Sequence, residues 1–371
     1  MKKFLKIAGV FFLGAIGIGL IWYFQSLKVE GDPLLTACWG VEVYDDLTGE
    51  KVVGVEDLDF DPESGTIFMS AYDRRAVARE IEAGKVTTQG GIYTINVSDI
   101  TDAPTLKVTD ISRAFKDAGN EFRPHGFALG YIADNVLLMA INRTYQEKDN
   151  LLILSPIFEL FYFSNQSLMH MGNYTLEGVC DPNDLILVGI LMTFGMTFSD
   201  NSWNCQSGVS NYKGAVKITG SPTPEIIIED IVFPNGLAIA KKQNSPLLAV
   251  AVTREKSIQL FELNDYSMIK NISLKIAPDN LTVDQDDNLY VAGFPNLIDY
   301  YFYMKSWLGV EKSPSAAYRI SPENFSQELL FKDDGSMISG ATVALRASDY
   351  LILGSAWDDN IAICSGMDGL D

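Results

Sequence analysis

Between residues 36 and 371 one cadence of polar and apolar positions recurs: a turn-forming polar cluster, an alternating apolar strand, an Asp, Asn or Gly turn, and a second apolar strand. Six copies can be read. Glu56-Asp57-Leu58-Asp59-Phe60 leads to Thr66-Ile67-Phe68-Met69-Ser70, and Pro124-His125-Gly126-Phe127-Ala128-Leu129 leads to Asn135-Val136-Leu137-Leu138-Met139. Glu177-Gly178-Val179-Cys180 runs through Asp184-Leu185-Ile186-Leu187-Val188, and Pro234-Asn235-Gly236-Leu237-Ala238-Ile239 into Leu247-Leu248-Ala249-Val250. The last two, Asp279–Asp284 into Asn288–Ala292 and Gly340–Ala344 into Tyr350–Gly354, are the clearest hairpins. Long helical periodicity is missing apart from Arg74 to Gly84, and no Pro/Gly-rich or low-complexity block divides the stretch. Length alone would allow two domains, but repeats of this size predict a propeller, whose blades bury their faces against one another. The expectation is an all-β, six-bladed β-propeller over residues 31–371, preceded by a transmembrane helix within residues 1–30.

The N-terminal expectation rests on three lysines among the first six residues, followed by an uncharged apolar run from Ile7 to Phe24 that ends in Ile21-Trp22-Tyr23-Phe24. Basic residues before such a run favour a cytoplasmic N-terminus, and the Trp-Tyr pair suits a membrane interface. No convincing small-residue cleavage site follows at Gln25-Ser26-Leu27-Lys28, which favours an uncleaved anchor over a signal peptide. The body is then expected on the extracytoplasmic side, as a single-pass membrane-anchored protein. In that setting the four cysteines can form disulfides. A Cys38–Cys364 bond would join the two ends of the body and suit a closed ring, whereas Cys180 and Cys205 form a second bond or stay unpaired and buried. A formal net charge of −20 excludes a phosphate-neutralising nucleic-acid binder and suits hard cations.

In a propeller, polar residues at the starts of the inner strands converge on the central channel. Here these are Glu56, Asp57, His125, Asn183, Asp184, Asn235, Asp279 and Asn280. Asp and Asn most often simply form turns before strands. As a set, however, Glu-Asp, Asn-Asp and Asp-Asn pairs open different repeats at equivalent places. Calcium takes six to eight oxygens from carboxylates, amides and carbonyls, and a channel lined from several blades can supply them without an EF-hand loop.

The segments Glu56-Asp57-Leu58, Phe122-Arg123-Pro124-His125-Gly126, Pro182-Asn183-Asp184, Pro234-Asn235-Gly236 and Asp279–Asp284 occur in the order of the signature segments of the paraoxonase/arylesterase family, which the chain resembles from Cys38 to Cys364. The wider relatives are gluconolactonase-like and strictosidine-synthase-like propellers. The resemblance implies two calcium ions on the axis, a ring-closing Cys38–Cys364 disulfide, and hydrolysis of lactones or aryl esters. By matching segment it assigns Glu56, Asn183, Asn235, Asp279 and Asn280 to the catalytic calcium. Asp57, Asp184 and the carbonyl of Phe127 fall to the structural one. His125 matches the histidine proposed as general base; a neutral imidazole beside the metal would take a proton from water or position it.

The chain departs from the family where a second histidine is expected: Arg143 stands there, suited to bind a carboxylate or polarise a carbonyl but poor at relaying protons. The remaining histidine, His170, lies in an ordinary strand pattern and is read as structural. Phe294 is a candidate apolar wall of the pocket, and Asp73–Glu80 a candidate helical lid. The Met304–Gly309 excursion fits either an interfacial patch or inter-blade packing. Two other functions remain open. One is a non-catalytic, calcium-stabilised propeller that binds a partner, and the other is a sugar-lactone hydrolase.

Overall fold

The computed structural model describes residues 29–132, 135–176, 179, 181–188, 193–199, 213–219, 225–243 and 245–370. The expected anchor within residues 1–30, apart from its last two residues, lies outside these, as do Cys180 and Cys205. No helix among the described residues is long and apolar enough to cross a membrane.

Among the described residues the fold is all-β and propeller-like, built from six four-stranded units. The first comprises β3 (Val55–Asp61), β4 (Thr66–Ala71), β5 (Gly91–Asn96) and β6 (Thr105–Asp110). The second comprises β7 (Pro124–Ile132), β8 (Asn135–Lys148), β9 (Leu151–Ser164) and β10 (Ser167–Tyr174), and the third β11 (Pro182–Val188), β12 (Thr193–Ser199), β13 (Lys213–Thr219) and β14 (Glu225–Val232). The fourth and fifth run β15 (Pro234–Lys242), β16 (Ser245–Val252), β17 (Ser257–Glu262), β18 (Met268–Ser273) and β19 (Ala277–Val283), β20 (Leu289–Phe294), β21 (Ser315–Ile320), β22 (Gln327–Asp333). The sixth takes β23 (Val343–Ala347), β24 (Tyr350–Gly354) and β25 (Asn360–Ser365) from the C-terminus and its outer strand, β1 (Cys38–Asp45), from the N-terminus; the short β2 (Lys51–Val52) pairs with β1.

The innermost strands follow one another in a ring: β3 packs on β7, β7 on β11, β11 on β15, β15 on β19, β19 on β23, and β23 back on β3. Closure is threefold. β1 pairs antiparallel with β25 and parallel with β6, and Cys38 faces Cys364 in register and is disulfide-bonded to it. The ends of the chain are thereby tied across 326 residues.

Burial explains the sequence cadence. A middle strand has a neighbouring blade on each face, so it reads as a continuous apolar run: all six residues of β20 are buried. An outer strand such as β6 keeps one face in water and alternates.

Five of the six innermost strands begin with the same irregularity. One extra residue is inserted between Val55 and Asp57, Pro124 and Phe127, Pro182 and Leu185, Pro234 and Leu237, and Pro278 and Leu281. A bulge of this kind interrupts the alternation of side chains and re-aims those beside it. β23 starts in regular register. The strand expected over Asn135–Met139 continues to Lys148. Since Pro124 pairs with Asn142, the remainder of the β8–β9 hairpin projects beyond the bulged end of the ring. The helices Arg74–Glu82 and Leu297–Met304 follow β4 and β20 on that same rim.

Candidate active site

The eight channel residues read from the sequence sit at the bulged strand heads: Glu56 and Asp57 on β3, His125 on β7, Asn183 and Asp184 on β11, Asn235 on β15, Asp279 and Asn280 on β19. All except the half-buried Asn183 are buried. They are linked across blades. Asn280 Nδ2 donates to Glu56 Oε1 and to the Glu56 carbonyl, both at 2.9 Å. Thr342, at the head of the sixth unit, donates its hydroxyl to the same carbonyl at 2.8 Å.

The cluster divides by hydrogen bonding. Asp57 accepts the amides of Leu58 at 2.9 Å and of Phe127, in the next blade, at 3.0 Å. Asp184 repeats this with Leu185 and Leu237, both at 2.7 Å. By contrast, four oxygens from four different strands are buried without a hydrogen-bond partner: Glu56 Oε2, Asn183 Oδ1, Asn235 Oδ1 and Asn280 Oδ1. Buried polar atoms are nearly always partnered, and an oxygen-only set drawn from carboxylate and amides is what a hard cation takes. The residues therefore fit such an ion. Among the described residues no three His, Cys, Asp or Glu side chains alone form a metal cluster, so the amide oxygens are integral to the fit.

The electrostatics agree. Burial pushes the carboxyl of Asp57 well above the ordinary range, and the charges of Asp184 and Glu56 add to it. Asp279 and Asp184 are driven up in the same way, by burial first and then by Glu56. Glu56 is raised by burial, with Arg74 opposing. These are acids crowded where water cannot screen them, and a cation among them would relieve both burial and mutual repulsion.

His125 stands beside this group, its Nδ1 3.3 Å from Glu56 Oε2. Burial, followed by the nearby charges of Arg143 and Arg74, pushes its imidazole well below its usual range. Arg143, on the projecting part of β8, is mostly buried and its Nη2 meets Asp181 at 2.8 Å. Phe294 is 1% exposed, with Tyr300 stacked on it at 3.5 Å between ring centroids. The Tyr300 hydroxyl is pushed up by burial and by the charge of Asp279.

The expected helix after Asp73 forms as Arg74–Glu82, capped by the Asp73 side chain on the amide of Ala76 at 2.8 Å. Its arginines divide. Arg75 reaches along the rim to Ser306 Oγ at 2.7 Å and to the carbonyls of Tyr303 and Met304. Arg74, which the sequence gives no reason to bury, is turned into the site. His170 lies on the outer strand β10, 2.8 Å from Glu159 and packed on Phe115 and Phe161, a structural place as expected. Trp307 and Leu308 are exposed on the rim.

Comparison with known proteins bears on the whole ring. A luciferin-regenerating enzyme matches with a TM-score of 0.50 at 12% identity, over 85% of this chain and 92% of that one. A calcium-binding protein, regucalcin, from Agrobacterium tumefaciens matches with a TM-score of 0.47 at 10% identity, over 90% of this chain and 95% of that one. At 12% identity the likeness to the luciferin-regenerating enzyme is one of fold. No curated protein matches the sequence. The sequence model of the Arylesterase family matches residues 52–364, from just before the first bulged strand to the ring-closing cysteine, and the chain therefore belongs to the arylesterase family.

Proposed function

We propose that this arylesterase-family chain is a calcium-dependent hydrolase of lactones or aryl esters, anchored in a membrane by residues 1–30 with its propeller on the extracytoplasmic side. The observation that supports the calcium is the set of four buried, unpartnered oxygens on four different inner strands. Glu56, Asn183, Asn235, Asp279 and Asn280 would hold a catalytic ion, and Asp57, Asp184 and the Phe127 carbonyl a structural one. The ion, when bound, supplies a Lewis acid for the substrate carbonyl.

The protein's own groups do the rest. The rim set by the helix Arg74–Glu82, the β8–β9 hairpin and the helix Leu297–Met304 surrounds the approach to the channel. Phe294, with Tyr300 stacked on it, supplies an aromatic wall. His125 orients the attacking water. Arg143 contributes its charge from a guanidinium held by Asp181. The Cys38–Cys364 disulfide agrees with an oxidising compartment. The substrate is a small ester or lactone, and the acidic chain has no nucleic-acid partner.

The test is hydrolysis of a panel of acyl lactones, sugar lactones and phenyl acetate by the full chain, first with calcium and then with chelator. Turnover that needs calcium supports the reading, and preference for sugar lactones would move it to the gluconolactonase side. Turnover that survives complete calcium removal would sink the mechanism. Calcium binding without turnover would assign the channel to a binding propeller, the reading that Arg143 in place of a second histidine favours.

A further inference from the structure

Arg74, in the segment read from the sequence as a candidate helical lid, is 7% exposed. Arg74 Nη1 donates to the carbonyls of Gly54 at 3.0 Å and Ala356 at 3.4 Å. Nη2 lies 3.0 Å from His125 Nδ1 and 3.9 Å from Glu56 Oε2, an oxygen that is itself 3.3 Å from that Nδ1 without hydrogen-bonding to it. The guanidinium carbon sits 4.0 Å over the ring of Tyr72. Room for this comes from Gly54, at φ +71°, where a Cβ would meet the Tyr72 carbonyl at 2.4 Å and Arg74 Nη1 at 3.4 Å. Each contact limits the guanidinium's freedom, and together they aim one N–H at one imidazole nitrogen.

A guanidinium has donors only and does not give up its proton in proteins. The nitrogen it faces must therefore accept, and a neutral imidazole whose Nδ1 accepts has its single proton on Nε2. Building on the hydrolase reading, we propose that Arg74 is the positioning residue of this site. It holds His125 in the Nε2–H tautomer, so that His125 meets the substrate or the attacking water as a hydrogen-bond donor. A base would need a free nitrogen lone pair. Nδ1 is occupied by Arg74 and Nε2 bears the proton, so the histidine stabilises oxygen charge instead of removing a proton. The partner that orients this histidine is thus an arginine from the rim helix, on a different strand connection from Arg143.

The chain has only two histidines, which makes the assignment directly measurable. Full-length protein labelled with 15N-histidine would be read by long-range 1H–15N correlation, with calcium and with chelator, and the His170→Gln variant would identify the His125 signals. The expected pattern is a pyrrole-type Nε2 and a pyridine-type Nδ1. Arg74→Met should lose that pattern, giving Nδ1–H or a mixture. Arg74→Lys, which keeps a donor, should restore it. In an active enzyme Arg74→Met should lower kcat about 100-fold with KM changed little, the scale of losing one oriented donor.

A wild-type His125 protonated on Nδ1, or charged at pH 7, overturns the proposal even if the variants fail to fold. So does an Arg74→Met protein that keeps the Nε2–H pattern. The two readings fail separately. The Nε2–H pattern in a chain that hydrolyses none of the panel leaves the tautomer standing and removes the hydrolase, whereas Nδ1–H in a calcium-dependent hydrolase does the reverse.

Discussion

Replacing Asn280 with alanine separates what its side chain does for the fold from what it does for a cation. Asn280 is fully buried, and its Nδ2 makes two hydrogen bonds at 2.9 Å to Glu56. The Glu56 carbonyl keeps Thr342 when they are lost, but Glu56 Oε1 loses its donor from the protein. Leaving a buried charged acceptor short of a partner costs about 1.5–3 kcal/mol, so Asn280→Ala should lose about 3 kcal/mol in chelator. The Oδ1 atom has no partner to lose and adds nothing to that figure.

Calcium should then make the gap larger. An ion held only by the folded chain stabilises it by about 2.7 kcal/mol at one hundred times its dissociation constant. A variant lacking one oxygen ligand should gain much less of this at the same concentration. The assay is chemical denaturation of the full chain under non-reducing conditions, wild type and Asn280→Ala, in chelator and in calcium. The variant's deficit should grow between the two conditions. An equal calcium increment in both proteins would show that Asn280 Oδ1 is not a ligand; no deficit in chelator would show that the contacts to Glu56 do not matter for folding.

Three further outcomes follow from other parts of the ring. Replacing both Cys38 and Cys364 by serine frees the ends of a loop spanning 326 residues and should cost up to about 5 kcal/mol in loop entropy, read as a lower denaturation midpoint; an unchanged midpoint refutes it. Gly236→Ala would put a Cβ 2.4 Å from Leu281 N and 2.6 Å from the Asp279 carbonyl, backbone atoms that cannot rotate away, so calorimetric titration should find calcium affinity reduced at least tenfold. Glu80 accepts the amides of Thr87 and Thr88 and its carboxyl is held down to about 2 by these bonds, so its contribution is present above pH 4.5 and lost as pH falls towards 2. Protection factors at Thr87 and Thr88, exchange taken relative to the intrinsic rate at each pH, should fall over that window in the wild type and stay flat in Glu80→Gln.

How far the sequence could be read depended on whether local pattern or distant packing decided a position. The strand cadence was legible because each middle strand is buried on both faces, and the Arg74 to Gly84 helix because its periodicity and the Asp73 cap are local. Arg74 was not legible. Two adjacent arginines open that helix, and only contacts with Gly54, Ala356 and His125, all distant in sequence, turn the first inward while the second stays on the rim. The stacking of Tyr300 on Phe294 was not legible for a similar reason, since that ring comes from the helix that follows.

The channel residues were legible as pairs, and the bulges supply the physical reason. In a regular strand, Glu56 and Asp57, Asn183 and Asp184, or Asp279 and Asn280 would point to opposite faces, and one of each pair would be lost to the site. The extra residue at the head of each bulged strand removes that alternation. Asp57 and Asp184 turn to the amides of the neighbouring blades, while Glu56 Oε2, Asn183 Oδ1 and Asn280 Oδ1 are left unpartnered. The same insertion in β7 and β15 brings in His125 and Asn235, each followed by a glycine whose missing Cβ lets the next blade close in. The sixth inner strand has no bulge, and Thr342 before it serves as a hydrogen-bond donor to Glu56. Five bulged strands thus supply every oxygen proposed for the ions, and the regular one supplies none.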